Sequence, residues 1–215
     1  MQKLFNPATV DNYIAHIVVN FSSLISPEVY ETAHKKWFDT VAEALKDEKI
    51  KEKANEPRDW DMVLDILEPY IPKINNRIGL ARALYSFAVG STVQEYHLER
   101  DFLQYMHKQK STHKLGLVTS AAEHMIYEVF QDQELPFNNI VANILPETHH
   151  PKLYWYIQKF GTPDVYIGNN TSDLQFAKKN NLVSITTGWF KEPKKQGDYH
   201  VRSVDELYSI KIDNS

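Results

Sequence analysis

The sequence predicts an α/β fold, a doubly wound parallel sheet with a helical segment inserted directly after the first strand. Short apolar runs rich in β-branched residues recur along the chain, and from residue 98 onward they alternate with helical patterns. Such alternation is typical of βαβ units around a parallel sheet. Between residues 26 and 92 the pattern is helical only, which predicts the insertion.

The composition indicates a globular chain with enough apolar residues for a full core. Of its 215 residues, 42% are hydrophobic and 24% are charged, a size that fits one large domain or a core with a smaller appendage. Cysteine is absent, which excludes disulfides, thiolate metal sites and a cysteine nucleophile.

Charge and hydropathy exclude two classes of partner. The net charge of -4 gives no broad surface for a polyanion, so no nucleic-acid partner is expected. No run reaches the roughly 18 to 20 apolar residues of a membrane span, and the N-terminus lacks the pattern of a signal peptide. We therefore expect a cytoplasmic protein with no membrane partner.

The elements follow from local patterns. Ile14 to Val19 reads as a strand buried on both faces, and Ser26 with Pro27 starts a helix that runs to Leu45. The polar stretch 46–58 is expected to be a helix end and a loop. Further helices are predicted over 59–70, 76–89, 98–108, 123–130, 151–160, 173–179 and 204–208, and further strands over 115–119, 139–142, 164–167 and 183–186.

The ligand is expected at the carboxyl ends of the strands, near the point where strand order reverses. The segments there are Asn20 to Ser23, Thr119 with Ser120, 147–152 and 168–173. They are rich in hydroxyl and amide groups and nearly empty of carboxylates, an unusual set for a hydrolase.

Two segments resemble motifs of the haloacid dehalogenase (HAD) superfamily. The stretch LGLVTSAAEHMIYEVF resembles its second motif with the following helix, and DVYIGNNTSDLQFAKKNNLVSITTGWF resembles its fourth motif. The likeness extends from Ile14 to Leu207. It implies a Rossmannoid core over 1–25 and 93–215 with a helical cap over 26–92. Most members are magnesium-dependent phosphatases that form a phosphoaspartate intermediate.

Several positions depart from the superfamily pattern. The resemblance places the aspartate nucleophile at Asn20, the acid–base aspartate at Ser22 and a magnesium-ligating aspartate at Asn169. Asp173 keeps the carboxylate of the fourth motif, and Thr119 keeps the phosphate-binding hydroxyl of the second.

The lysine of the third motif has no secure counterpart. Lys152 lies 16 positions before Gly168, a shorter spacing than the superfamily usually shows, and the register of the motif falls near Glu147.

These departures predict a catalytically disabled member with a binding, regulatory or interaction role, no cofactor and no metal. An amide oxygen is a poor nucleophile, a serine cannot carry the proton near neutral pH, and magnesium prefers carboxylates. The alternative is an active hydrolase that uses Asp173 with unconventional acids, Glu147 first among them, and Mg²⁺. A third reading is an unrelated doubly wound binding protein.

The same edge could hold a small anionic or phosphorylated ligand without a metal. Hydroxyls and the N–H groups at helix N-termini suit an anion. The plainer reading is that Thr119 and Thr171 only cap the helices that follow them. The candidate ligand-binding residues are Asn20, Ser22, Thr119, Ser120, Lys152, Asn169 and Asp173, and Ser23 and Thr171 add further hydroxyls at the same edge.

Three further features carry weaker predictions. The pair His149 and His150 favours a capping or exposed role over metal binding. In the helix after Pro151, we expect a buried stripe of Leu153, Ile157 and Phe160, with Tyr154 and Trp155 partly outward. Such outward aromatics leave a protein partner or a homodimer open. The loop Gly188 to Lys191 with its following lysines reads as a solvated basic loop or as a contact to an anion.

Overall fold

The computed structural model describes residues 15–56, 60–93, 99–121, 123–130, 134–144 and 150–210. Within these ranges six strands form one parallel sheet, with the order β3-β2-β1-β4-β5-β6. The strands are β1 His16–Asn20, β2 Lys114–Val118, β3 Asn139–Val141, β4 Val165–Ile167, β5 Val183–Thr187 and β6 Tyr199–Val201. The predicted doubly wound α/β class is confirmed.

Along the chain, helices precede β2, β3, β4 and β5, and one further helix follows β6. They are α1 Pro27–Leu45, α2 Lys49–Glu52, α3 Trp60–Leu67, α4 Ile74–Val93, α5 Arg100–Gln109, α6 Glu123–Phe130, α7 Lys152–Phe160, α8 Thr171–Lys179 and α9 Val204–Leu207. Among the described residues, no helix is long and apolar enough to cross a bilayer.

Buried side chains alternate between the two faces of the sheet. Ile17 and Val19 of β1 pack in one apolar cluster with residues of α1, α4, α5 and α6, whereas Val18 packs in a second cluster with residues of α7 and α8. A strand with apolar residues on both faces is typical of a sheet covered by helices on both sides. The prediction that β1 is buried on both faces is therefore confirmed.

The order of the strands places the switch point between β1 and β4. From β1 the chain moves outward through β2 to β3, then returns to the other side of β1 and continues through β4 to β6. Side chains at the carboxyl ends of β1, β2 and β4 therefore share one edge of the sheet.

Helices α1 to α4 follow β1 along the chain and precede α5 and β2, and we call them the helical block. Ser26 caps α1 by accepting a hydrogen bond from the N–H of Glu28, and the Trp37 indole N–H donates to the backbone oxygen of Ala81 at 3.2 Å. The block's buried residues belong to the same apolar cluster as one face of the sheet. Its division from the core as a cap over 26–92 stays a prediction.

Several boundaries differ from the prediction. The first strand includes Asn20 as its last residue, and Ile14 lies outside the described residues. Within the polar stretch 46–58, α2 and a 3-10 turn at Lys53–Asn55 form, so it is not only a helix end and a loop. The edge strand β6 is not predicted, because only one of its three residues is buried.

Candidate functional site

Asn20 lies at the end of β1 and is only 3% exposed. Its Oδ1 accepts hydrogen bonds from the backbone N–H of Ser22 at 3.1 Å and from the Ser22 hydroxyl at 3.0 Å. Its Nδ2 donates to the hydroxyl of Tyr166 at 3.1 Å and makes a longer contact of 3.4 Å with Oδ2 of Asp173. The side chain at the predicted nucleophile position is thus engaged at both of its polar atoms.

Asp173 is completely buried in the first turn of α8 and accepts contacts from three other elements. Oδ1 accepts the backbone N–H of Leu153, at the start of α7, at 3.0 Å. Oδ2 accepts the Tyr166 hydroxyl at 3.2 Å and lies 3.6 Å from Nζ of Lys152. We call Asn20, Lys152, Leu153, Tyr166 and Asp173 the Asp173 cluster.

Lys152 lies close to the carboxylate of Asp173, and its assignment to the third motif stays a prediction. Counted along the chain, Lys152 stands too close to Gly168 for the third-motif lysine. In space, it is the first residue of α7 and reaches the carboxylate of Asp173. Glu147, the position suggested by the register, lies outside the described residues.

Tyr166 is a member of the cluster that the sequence analysis missed. It lies on the same face of the sheet as Asn20, because Tyr166 pairs with Val18 and side chains alternate along β1. Burial, together with the neighbouring Asp173 carboxylate, raises the pKa of Tyr166 well above its ordinary value. The hydroxyl therefore stays protonated and acts as a donor. A tyrosine inside a buried strand needs a polar partner for its hydroxyl, so Tyr166 in the predicted strand 164–167 could have been recognised as part of a polar cluster.

Gly168 follows β4 directly and leaves room for this hydroxyl. A Cβ atom at this position would lie 2.6 Å from the Tyr166 hydroxyl oxygen and 2.7 Å from the Cβ of Asn20, closer than real contacts allow. The glycine is therefore required by the close approach of Tyr166 and Asn20.

Asn169 ties the end of β4 to the end of β5. Its Oδ1 accepts the backbone N–H of Thr187 at 2.8 Å, and its Nδ2 donates to the backbone oxygen of Thr187 at 2.6 Å and to its hydroxyl at 3.1 Å. A carboxylate has no N–H to donate to a carbonyl. The amide at this position is therefore matched to its backbone partners.

The predicted hydroxyl groups are placed in different ways. Thr119, only 5% exposed, follows β2, and its Oγ1 accepts the N–H of Ala121 at 3.0 Å. Ala121 precedes α6, which begins at Glu123, so this contact is a local turn and the capping role of Thr119 stays a prediction. The hydroxyl still has its own hydrogen to donate. Ser22 and Ser120 are exposed at the same edge. The Ser23 hydroxyl is buried and has no hydrogen-bond partner among the described residues.

Thr171 does not cap the helix that follows β4. It is the first residue of α8, and the cap is Asn170, whose Oδ1 accepts the backbone N–H groups of Ser172 and Asp173 at 3.0 and 3.1 Å. The capping prediction is thus wrong for Thr171, because asparagine one position earlier supplies the acceptor.

The residues present do not fit a magnesium ion. Magnesium is normally held by one or two carboxylates together with several waters. Among the candidate residues that the structure describes, Asp173 alone is acidic, and both of its oxygens already accept protein donors. In the ranges that the structure describes, no three histidine or acidic side chains are grouped so that they could hold a metal.

The other predicted features have mainly packing roles. Trp155 is 37% exposed, as expected, but Tyr156 rather than Ile157 or Phe160 joins Leu153 in the buried stripe of α7. His149 lies outside the described residues, and the ring of His150 stacks on Tyr154 at 4.2 Å.

The first aromatic residue of the loop after β5, Trp189, contacts the turn after β1 and helix α5. The indole N–H of Trp189 donates to the backbone oxygen of Ser23 at 3.0 Å, and its ring lies 4.9 Å from that of Phe102. The exposed lysines of this loop, Lys191, Lys194 and Lys195, agree with the predicted basic surface.

Comparison with known proteins identifies the fold. No family model matches the chain, and no curated protein matches its sequence. Among solved structures, a haloacid dehalogenase-like hydrolase from Streptococcus pneumoniae aligns over 91% of this chain and 97% of its own, with a TM-score of 0.58 and 15% identity.

Two further structures give the same picture. A HAD-superfamily hydrolase of subfamily IA from Geobacter sulfurreducens covers 91% of this chain and 95% of its own, with a TM-score of 0.59 and 13% identity. CbbY from Rhodobacter sphaeroides, solved in complex with phosphate, covers 90% and 96%, with a TM-score of 0.59 and 14% identity. The chain has the Rossmannoid α/β fold of the haloacid dehalogenase superfamily.

Proposed function

We propose that this protein is a catalytically inactive member of the HAD superfamily that acts by binding, as a regulatory or interaction protein. The observation that carries the proposal is the use made of two amides. Nδ2 of Asn20 donates to Tyr166, and Nδ2 of Asn169 donates to the backbone oxygen of Thr187. An aspartate could make neither bond while ionised.

The described residues of this edge supply no free agent for phosphoester cleavage. Attack on phosphorus needs an anionic oxygen, and the leaving group needs a proton carrier. Asn20 offers an amide oxygen that already accepts two hydrogen bonds from Ser22, and a serine hydroxyl is not an effective general acid or base near neutral pH. General acid–base catalysis alone contributes about 10² to 10⁴ in rate, so its loss is severe.

The ligand that fits this edge is a small anion, such as a phosphorylated metabolite. Lys152 supplies a partly exposed ammonium group with three N–H donors, and its Nζ lies 3.6 Å from Oδ2 of Asp173. The hydroxyls of Ser22, Ser120 and Thr119 add neutral donors without any metal. The similar CbbY structure was solved in complex with phosphate, and this supports an anion as the class of ligand.

A second candidate function is hydrolysis of a small phosphoester with Mg²⁺ and unconventional acids. Asp173 is a poor agent for it, because the carboxylate is completely buried and bonded at both oxygens. Glu147 is the carboxylate that this alternative needs.

A hydrolysis assay separates the two functions. The full chain is incubated with Mg²⁺ and a panel of small phosphoesters, beside the variants Glu147→Gln and Asp173→Asn. We expect no turnover above the buffer rate. Mg²⁺-dependent turnover that either substitution abolishes would establish the hydrolase instead.

Ligand binding is tested without metal. In EDTA-containing buffer, orthophosphate should raise the melting temperature of the native chain, and Lys152→Met should reduce the shift. Lys159→Met, an exposed lysine of the same helix, is the matched control and should retain it. Absence of a shift at high millimolar phosphate would remove the anion site from the proposal.

A further inference from the structure

Arg82 of α4 connects the helical block to the two loops that follow β2 and β3. Its Nη2 donates to the backbone oxygen of Ser120 at 2.8 Å, and its Nη1 makes a longer contact of 3.4 Å with the backbone oxygen of Asn143. The N–H of Asn143 in turn donates to the backbone oxygen of Ala121 at 2.8 Å. One guanidinium therefore contacts two loops that are already bonded to each other.

Within the block, Arg82 directly follows a residue that is buried and bonded to α1. The preceding residue, Ala81, is completely buried, and its backbone oxygen accepts the indole N–H of Trp37 from α1. This bond joins α1 and α4 one residue away from Arg82. Any movement of these helices as a unit carries Arg82 with it.

The chain enters and leaves the block at neighbouring residues. Leu24 precedes the block and Glu99 follows it, and the backbone N–H of Glu99 donates to the backbone oxygen of Leu24 at 3.0 Å. Away from these two residues, the position of the block depends on its apolar packing against one face of the sheet and on polar contacts such as those of Arg82.

We propose that Arg82 is a latch that holds the helical block against the loop carrying Thr119. The Thr119 hydroxyl accepts the N–H of Ala121, so the latched loop contains the group predicted to face an anion. A forked guanidinium can contact two carbonyls at once, whereas a lysine presents a single ammonium. The role of Arg82 does not depend on the identity of the ligand, and it goes beyond the function proposed above.

Amide hydrogen exchange on the full chain tests the latch. Arg82→Met keeps the apolar stem and removes both contacts. We expect the amides of Ala121 and Asn143 to exchange about tenfold faster, as the loss of one or two hydrogen bonds implies. Arg82→Lys should give an intermediate rate, which provides a second reading if the methionine variant folds poorly.

Lys36→Met is the matched control, because Nζ of Lys36 donates to the backbone oxygen of Ser91 within the block. It should leave both amides at their native rates. Three results would overturn the latch: rates in Arg82→Met within twofold of native, an equal acceleration in Lys36→Met, or an acceleration that spreads equally over the amides of β1.

Discussion

The carboxyl ends of β1 and β2 lie beside each other but hold their polar groups differently. At the end of β1, Asn20 and the rest of the Asp173 cluster bond to one another inside the protein. At the end of β2, Ser120 is exposed and Thr119 makes one local contact. The polar groups at the end of β1 therefore serve contacts inside the protein. The hydroxyls at the end of β2 take no part in those contacts.

The largest effect is expected from removing the carboxylate at the centre of the cluster. Asp173→Ala leaves the ammonium of Lys152, the N–H of Leu153 and the Tyr166 hydroxyl without their shared acceptor. Breaking this half-buried ion pair and leaving two buried donors without an acceptor costs about 3 to 5 kcal/mol in total. Urea unfolding measures the loss, and Asp205→Ala on the surface of α9 should change stability by less than about 0.5 kcal/mol.

A smaller loss is expected from crowding the Tyr166 hydroxyl. Gly168→Ala places a methyl group 2.6 Å from it, and overpacking of this kind costs about 1 to 3 kcal/mol. Adding Tyr166→Phe should restore part of the stability, since the nearest contact is then gone. In Gly79→Ala, the control, the new Cβ meets nothing within 4 Å, so the helix should gain about 0.5 to 1 kcal/mol. If Gly168→Ala matched this control, the cluster would not be tightly packed.

Replacing the amide of Asn169 by a carboxylate should destabilise the chain. In Asn169→Asp, an ionised carboxylate faces the backbone oxygen of Thr187, at a cost of about 1 to 2 kcal/mol. That repulsion raises the pKa of the new carboxyl in the folded state. Stability relative to the native chain is therefore better preserved at pH 4 than at pH 8. The exposed Asn76→Asp is the control, and a loss equal at both pH values would refute the assignment.

The smallest effect comes from the opposite end of β1. Burial lowers the pKa of His16 to about 4, and its Nε2 lies 2.9 Å from the hydroxyl of Tyr156. A lowered folded-state pKa means that stability is fully present above pH 6.5 and declines as pH falls toward 4. Because the ring is partly exposed, the change is about 1 kcal/mol. His16→Gln should remove this part of the pH dependence, and a denaturation series between pH 7 and 4 would reveal it.

The sequence predicted the sheet well because its buried strands are apolar on both faces, and such runs are visible in a single chain. It predicted the positions of Asn20, Thr119 and Asn169 at one edge for the same reason. The contacts between them were not accessible, because Lys152 meets Asp173 through the packing of α7 against α8 rather than through a fixed spacing. Tyr166 was missed because its hydroxyl is hidden in an apolar strand.

Direct titration with Mg²⁺ by calorimetry tests the central claim that the end of β1 has been rebuilt as a metal-free cluster. We expect no heat of binding at millimolar Mg²⁺, for the native chain and for Asp173→Asn alike. Saturable binding at or below about 1 mM that disappears in Asp173→Asn would contradict it, since the carboxylate would then serve a cation rather than its protein partners.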